Sequence, residues 1–482
     1  MGKVISFPKR RAVAGLSEAI ESKLRRWRMS NERSGESLLQ FEAALQELLR
    51  EAHREAMGEA LLAADEPSNA VVLEGRTCRR VLTESQTYMT AAGPVTVRRG
   101  LFKDRTRPQE RAFAAMDKRL GVIDGFWTPK AGREALWLVT QMVPEKAAQA
   151  LSRLGGMSPS KSSLDRLPKA VSARWEEHRD ELEQVLFESQ EIPEGTRVLA
   201  VSLDGVYAPI ESDDEQDDHV EKRRDKHAQG LSARGPDAFR EVGCASIAFY
   251  DGSTELLGAV RFGRAPEHKK EGVKSMLAAQ LRALLERHEG LVVVFLSDGA
   301  WDHWDFFESL AIEGHQALDF FHAAEHLNAA LGAAYGEGSV KARRAFAEKR
   351  HILLEEERGA ATVKRALVQL ARTKAANTNQ RRILDRAVRY FTAHEDRMRY
   401  AQLRAQGLPI GSGVMEASCK TLVAQRLKLS GQRWSATGAQ AILTPRGWDQ
   451  SERFDEAFAL LAATYHQPVA VFTPVERNRA SG

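Results

Sequence analysis

Two apolar runs that each stop on an aspartate constrain this chain more than any other feature. Val198-Leu199-Ala200-Val201-Ser202-Leu203 leads into Asp204, and Leu291-Val292-Val293-Val294-Phe295-Leu296-Ser297 leads into Asp298. Both runs read as short strands, and an acid at a strand end points into the crevice beyond the sheet. A third acid, Glu416, opens a helix-like stretch after Pro409-Ile410-Gly411-Ser412-Gly413. Two strand-end acids and one helix-borne acid can converge on a pair of divalent metal ions. Such a set clamps the attacking and leaving oxygens of a phosphoryl displacement.

The surrounding pattern predicts an α/β unit over residues 196–334. Its order is strand Val198–Asp204, a charged loop, strand Val242–Tyr250, strand Leu256–Phe262, helix Glu267–His288, strand Leu291–Asp298, helix Trp301–Ile312, strand Ala317–Phe321 and helix His322–Ala334. Three meandering strands followed by strands alternating with helices is the order of a ribonuclease-H-like core. The 212–236 loop, with Asp213-Asp214-Glu215 and Lys222-Arg223-Arg224, is polar and expected to be mobile. Residues 335–408 read as a charged, wholly helical insertion. The core resumes over 409–445 with the helix of Glu416, and 446–482 holds one short helix (Glu452–Tyr465) and a frayed tail.

At 482 residues the chain exceeds one compact core, so two to four domains are expected. Its composition, 43% hydrophobic and 28% charged, is that of a soluble globular protein. No apolar stretch approaches the roughly 18 residues that span a bilayer, and the basic N-terminus lacks the apolar segment of a secretory signal. No membrane partner and a cytoplasmic location are therefore expected. Cys78, Cys244 and Cys419 are too dispersed for a disulfide framework or a paired zinc knuckle. The net charge of +4 says little, but Lys9-Arg10-Arg11, Lys23 to Arg28, Arg98 to Arg111 and Arg343-Arg344 are basic runs. They are either solvated faces or footprints of a phosphate backbone.

Residues 1–35 read as a flexible basic arm, and 36–128 as a helical and small β region. In the latter an amphipathic helix (Ser37 to Ala64) precedes strand-like stretches from Val71 to Phe102. Residues 129–195 are helical again. There the Glu145–Leu154 helix, Gly155-Gly156 and a second helix opening at Ser158 give a helix-turn-helix outline. Lys161 and Arg166 would meet DNA from the start of the second helix, although Pro168 shortens it. A plain helical hairpin fits the same pattern.

Each candidate has a rival role. Asp298 before Gly299 also suits a helix cap, and Asp302 competes for its place. His322-Ala323-Ala324-Glu325-His326 matches the H-x-x-E-H pattern of a zinc metalloprotease. The overlapping Asp319-Phe320-Phe321-His322 instead sets His322 at a strand-to-helix junction, facing the crevice and able to bind substrate phosphate. Lys420, one turn after Glu416, either contacts DNA phosphate or pairs within its helix. Cys419 on the same helix reads as a small buried residue. Arg433 beside Trp434 either stacks on an unpaired base or packs in the core.

Taken together, Ser202-Leu203-Asp204-Gly205, Leu296-Ser297-Asp298-Gly299-Ala300, Leu318-Asp319-Phe320-Phe321-His322, Gly411-Ser412-Gly413-Val414-Met415-Glu416 and Gly431-Gln432-Arg433-Trp434-Ser435 resemble the DDE transposases of bacterial insertion sequences. The likeness is to the ISKra-type group, similar in outline to Mutator-like transposases, and covers about residues 130–450. It implies a ribonuclease-H-like catalytic domain with a helical insertion, and Asp204, Asp298 and Glu416 as catalytic metal ligands for Mg²⁺ or Mn²⁺. It implies action on the double-stranded terminal inverted repeats and target DNA, a homodimer or larger assembly on DNA, and a bacterial, nucleoid-associated setting. The chain lacks the cysteine-rich zinc ribbon expected upstream. An inactive or domesticated DNA-binding relative is the alternative from another class.

Overall fold

A computed structural model describes residues 15–29, 34–211, 239–375 and 377–472. The chain divides into two compact units, one of residues 1–182 with 454–482 and one of residues 183–453. The expected boundaries thus shift. The stretch read as 129–195 divides between the two units, and the C-terminal helix joins the N-terminal one.

The first unit holds an antiparallel sheet of β1 (Ala70–Leu73), β2 (Arg76–Thr90), β3 (Gly93–Lys103) and β4 (Phe113–Ala114), with a C-terminal strand, Val469–Val471, on the free edge of β1. Glu74 and Gly75 both take positive φ, the geometry of a tight hairpin between β1 and β2. The Gly35–Ala63 helix starts on a Ser34 capping box and packs over Tyr88, Val95 and Val97 through Leu61. Two expectations need correction here. The 1–35 arm contains a helix, Leu16–Met29, whose Trp27 ring lies 5.5 Å from that of Phe41. The Lys161–Glu177 helix runs through Pro168, because Leu164, Leu167, Val171 and Trp175 are fully buried along one face and hold it against the missing N–H.

The second unit is built on a mixed five-stranded sheet in the order β10-β9-β5-β7-β8. Its members are β5 (Val198–Ala208), β7 (Arg240–Tyr250), β8 (Leu256–Arg264), β9 (Val292–Ser297) and β10 (His315–Leu318). A short parallel pair of β6 (Ile210–Glu211) and β11 (Trp434–Ser435) lies outside it. β5, β7 and β8 pair antiparallel, whereas β9 and β10 run parallel to β5. β5 does not stop at Asp204 as the apolar run suggests. Its ladder with β7 continues from Asp204↔Cys244 to Ala208↔Arg240, while its ladder with β9 ends at Ser202↔Leu296. The crevice therefore opens beside Asp204, where only one partner strand remains.

Helices cover the sheet. Glu271–Arg287 packs on β7 and β8, Trp301–Ser309 on β9, and Ala436–Gln450 on β8. The helix expected from Glu267 starts later, because His268–Lys270 forms a tight turn with Lys269 and Lys270 at φ +47° and +59°. Residues 320–405 carry the α-helices Phe320–Tyr335, Val340–Glu355, Gly359–Thr373, Thr378–Ala393 and Tyr400–Ala405, joined by short turns. The 212–236 loop lies outside the described residues. Among the described residues no helix is long and apolar enough to cross a membrane.

Candidate functional site

Asp204 and Asp298 share an open cleft of about 460 Å³, lined also by Arg240, Glu241, Lys270, Asp302 and His303. Asp204 arrives on β5 and Asp298 on the residue after β9, so the register of two adjacent parallel strands brings them together. The Asp204 carboxylate accepts from the Gly205 N–H at 2.7 Å and from the Cys419 thiol at 3.6 Å. Burial, reinforced by the neighbouring Asp298 charge, pushes its carboxyl above the usual value. Gly205 leaves room for the Glu241 side chain, which a Cβ at this position would displace.

Asp298 is held at one oxygen. Its Oδ1 accepts from Ser297 Oγ at 3.2 Å and from the Ala300 N–H at 3.1 Å, which makes it a cap of the following turn as well as a cleft residue. Its main-chain carbonyl accepts the Tyr390 hydroxyl at 2.7 Å from the Thr378–Ala393 helix. Asp302, the rival for its place, faces Lys274 at 3.5 Å. Burial acts to raise its carboxyl, but His303, Lys270 and Lys274 outweigh this and hold it low.

Glu416 does not line this cleft. It is exposed on the Gly413–Ser418 helix, whereas Met415, Ser418 and Cys419 are buried. The expected continuous face of Glu416, Cys419, Lys420, Val423 and Leu427 is split. The helix widens into a π turn over Cys419–Ala424, so Cys419, Val423 and Leu427 enter the core while Glu416 and Lys420 face solvent. Glu416 nonetheless precedes by one helical turn the cysteine that touches Asp204.

What anchors that helix is Asp319, a residue that sequence reasoning passed over in favour of His322. Asp319 is 1% exposed. One oxygen caps the Phe320–Tyr335 helix through the His322 N–H at 2.8 Å, and the other accepts from the Ser412 N–H and from Ser412 Oγ at 2.6 Å. A Cβ on Gly411 would press on the Phe321 ring at 2.8 Å. The D-x-x-H unit thus ties β10 to the start of the Glu416 helix, and its aspartate was the readable signal.

The remaining candidates are scattered. His322 is half-exposed and lies 3.7 Å from Glu325, while His326 stacks on Tyr390 with ring centroids 3.9 Å apart. Among the described residues no group of three His, Cys, Asp or Glu side chains is placed to hold a metal ion, so the H-x-x-E-H pattern gains no third zinc ligand. Arg433 pairs with the buried Glu211 at 3.4 Å. Trp434 donates its indole N–H to Leu427 O, and the Arg426 guanidinium covers its ring at 5.1 Å. Of the two roles open to this pair, packing is the one the geometry supplies. Lys161 and Arg166 are exposed on the first unit, with Arg166 3.8 Å from Asp124.

Asp204 and Asp298 suit a divalent cation. They are hard oxygen donors of like charge in one cleft, Asp204 partly buried, and Asp298 Oδ2 has no hydrogen-bond partner among the described residues. Two carboxylates and water satisfy an ion such as Mg²⁺; the pair of ions expected from three acids is not matched by this donor set.

No family model and no curated protein matches the chain. Among solved structures it is similar to the Drosophila P element transposase strand transfer complex, at 11% identity and a TM-score of 0.25, with 71% of this chain and 82% of that chain covered. A likeness of that size establishes neither a family nor an activity.

Proposed function

We propose that this chain is a metal-dependent transposase of the DDE type, which cuts DNA at the ends of an insertion sequence and joins the freed 3′ ends to target DNA. One observation carries this reading: Asp204 and Asp298 occupy one cleft from adjacent parallel strands, at the point where the ladder between β5 and β9 ends. The strand order, three antiparallel strands followed by two parallel to the first, supports a ribonuclease-H-like core.

Asp204 and Asp298 would hold the ion, Mg²⁺ or Mn²⁺. When bound, it supplies Lewis-acid charge at the reacting phosphate and lowers the pKa of an attacking water. The chain's own residues position the DNA. Lys269, Lys270 and Arg240 line the cleft and attract the phosphodiester. On the Thr378–Ala393 helix, Arg381, Arg382, Arg386 and Arg389 are exposed, and the same helix fixes Asp298 through Tyr390. Glu416 completes the acid set only if its helix turns toward the cleft on binding DNA, with Asp319 as the pivot. In strand transfer the 3′-hydroxyl attacks the target phosphorus as its bond to the leaving oxygen breaks.

The test is nicking of a labelled duplex carrying the DNA that flanks the coding sequence, with Mg²⁺ or Mn²⁺ and with EDTA. Metal-dependent nicking lost in Asp204→Asn supports the reading. Salt-sensitive binding without nicking supports a DNA-binding relative, which the exposed position of Glu416 favours.

A further inference from the structure

We propose that His303 is a positioning residue of the cleft, aligning Asp298 and Lys270 through one directed hydrogen-bond chain; this rests on the transposase reading. His303 is 1% exposed and Ser297 2%. Lys270 Nζ lies 3.2 Å from His303 Nε2, and His303 Nδ1 lies 2.9 Å from Ser297 Oγ. Ser297 Oγ in turn lies 3.2 Å from Asp298 Oδ1.

The donors fix the direction. An ammonium has no lone pair, so Nε2 accepts from Lys270 and the imidazole proton sits on Nδ1. Nδ1–H then donates to Ser297 Oγ, whose own proton goes to Asp298 Oδ1. Every link has one donor and one acceptor, with no hydrogen left over or missing. The consequence for Asp298 is geometric. Oδ1 is occupied by Ser297 and the Ala300 N–H, and Oδ2 is left toward the cleft.

At the other end, Lys270 is held between His303 and Glu241, whose Oε1 is 3.0 Å away. The backbone has been bent to allow this. Lys269 and Lys270 both adopt left-handed φ, which non-glycine residues rarely occupy and which gathers at functional sites. Gly243 is the small residue beneath: a Cβ there would stand 3.5 Å from Lys270 Cγ and 2.9 Å from Val273 Cγ1. Burial, aided by the Lys270 charge, lowers the imidazole's proton affinity, in keeping with the neutral form. The other charged groups facing the ring are Asp302, Asp298 and Asp204.

The test compares His303→Phe, His303→Asn and His303→Gln in the full chain, after thermal melting shows that each folds. Two readouts are taken: Mn²⁺ binding by electron paramagnetic resonance without DNA, and kcat and KM for nicking. The Asn amide can replace Nδ1–H toward Ser297, and the Gln carbonyl can replace Nε2 toward Lys270. His303→Phe is expected to weaken Mn²⁺ binding and lower kcat, each about 10–100-fold, the scale for removing a partner of a metal ligand, with KM little changed. His303→Asn is expected to restore Mn²⁺ affinity while His303→Gln does not. Wild-type Mn²⁺ affinity and kcat in folded His303→Phe, or equal losses in all three variants, overturn the proposal. A wild-type protein that binds no Mn²⁺ and cuts nothing overturns the transposase reading itself, and this proposal with it.

Discussion

The strand-borne and helix-borne acids of the candidate site are held by different kinds of bond. Asp204 is set by the main-chain ladder of β5 with β7 at the Asp204↔Cys244 pair, and Asp298 follows directly on β9, whose ladder with β5 ends two residues earlier at Ser202↔Leu296. Glu416 stands on a six-residue helix that widens into a π turn, seated by the buried Met415, Cys419 and Val423 and bonded through Asp319 to Ser412 and Cys419 to Asp204. Ladders fix position to fractions of an ångström and resist change. Side-chain ties and core packing hold the helix instead, and π turns often mark functional places in helices. On the proposed reading, the strand half of the site is the pre-formed part, and the helix half is the part that DNA would complete.

The largest expected effect tests that division directly. Asp204→Asn and Asp298→Asn should each reduce metal-dependent nicking by roughly 10²–10³-fold or more, the scale of deleting one preorganised charged group. Glu416→Gln decides the comparison. An equal loss with unchanged Mn²⁺ affinity in the free protein means that DNA draws Glu416 in. Wild-type nicking means that two strand acids suffice.

Next in size is Asp319→Ala, which removes a helix cap and leaves Ser412 without its acceptor. A loss of about 2–4 kcal/mol in unfolding free energy is expected, from one cap and one or two hydrogen bonds to a buried carboxylate. Under conditions where the variant stays folded, nicking should fall about tenfold or more while Mn²⁺ affinity holds. Unchanged nicking would detach Asp319 from the Glu416 helix.

The same contrast explains what the sequence could and could not reveal. The strands and their order were legible because β-branched runs broken by glycine announce themselves locally, and an acid closing such a run has few other places to point. The extension of β5 to Ala208 was not, because Asp204-Gly205, two residue types depleted in strands, reads as an end; the β7 ladder carries the strand through them. Nor was the parting of Val423 and Leu427 from the face of Glu416, since a π turn shifts every later side chain and leaves no mark on periodicity. Lys270 and His303 stayed hidden for a third reason. The Glu267–His288 pattern reads as one helix, and only the left-handed turn at Lys269 and Lys270 brings a lysine beneath the cleft.

A smaller effect concerns the basic helix that holds Asp298. Arg386→Ala and Arg389→Ala remove two exposed charges without touching the core. If each meets one phosphate, the slope of log affinity against log salt should shrink by about 0.9 per arginine on duplex DNA. Affinity should drop alike for matched and unmatched sequences. An unchanged slope would separate this helix from the DNA path and leave it a purely structural support of Asp298 through Tyr390.

The smallest effect is thermal and concerns Asp204 alone. Its carboxyl is held above the ordinary value by burial and by Asp298, so between the unfolded and folded values the native state binds more protons than the unfolded chain. The stability this confers is fully present below the unfolded value, about 3.9, and is lost as pH rises through the folded value. At pH 7 the pre-formed half of the site thus carries a destabilising charge. In EDTA, Asp204→Asn should melt above wild type at pH 7, by about 2–4 °C for each ~1 kcal/mol recovered in a unit of this size. The difference should close toward pH 4. Mg²⁺ should raise the wild-type midpoint and leave that of the variant in place, because an ion that binds only the native state stabilises it by mass action. A variant that melts lower than wild type at both pH values would make Asp204 a structural carboxylate. The strand half of the site would then have no stored repulsion for a cation to relieve.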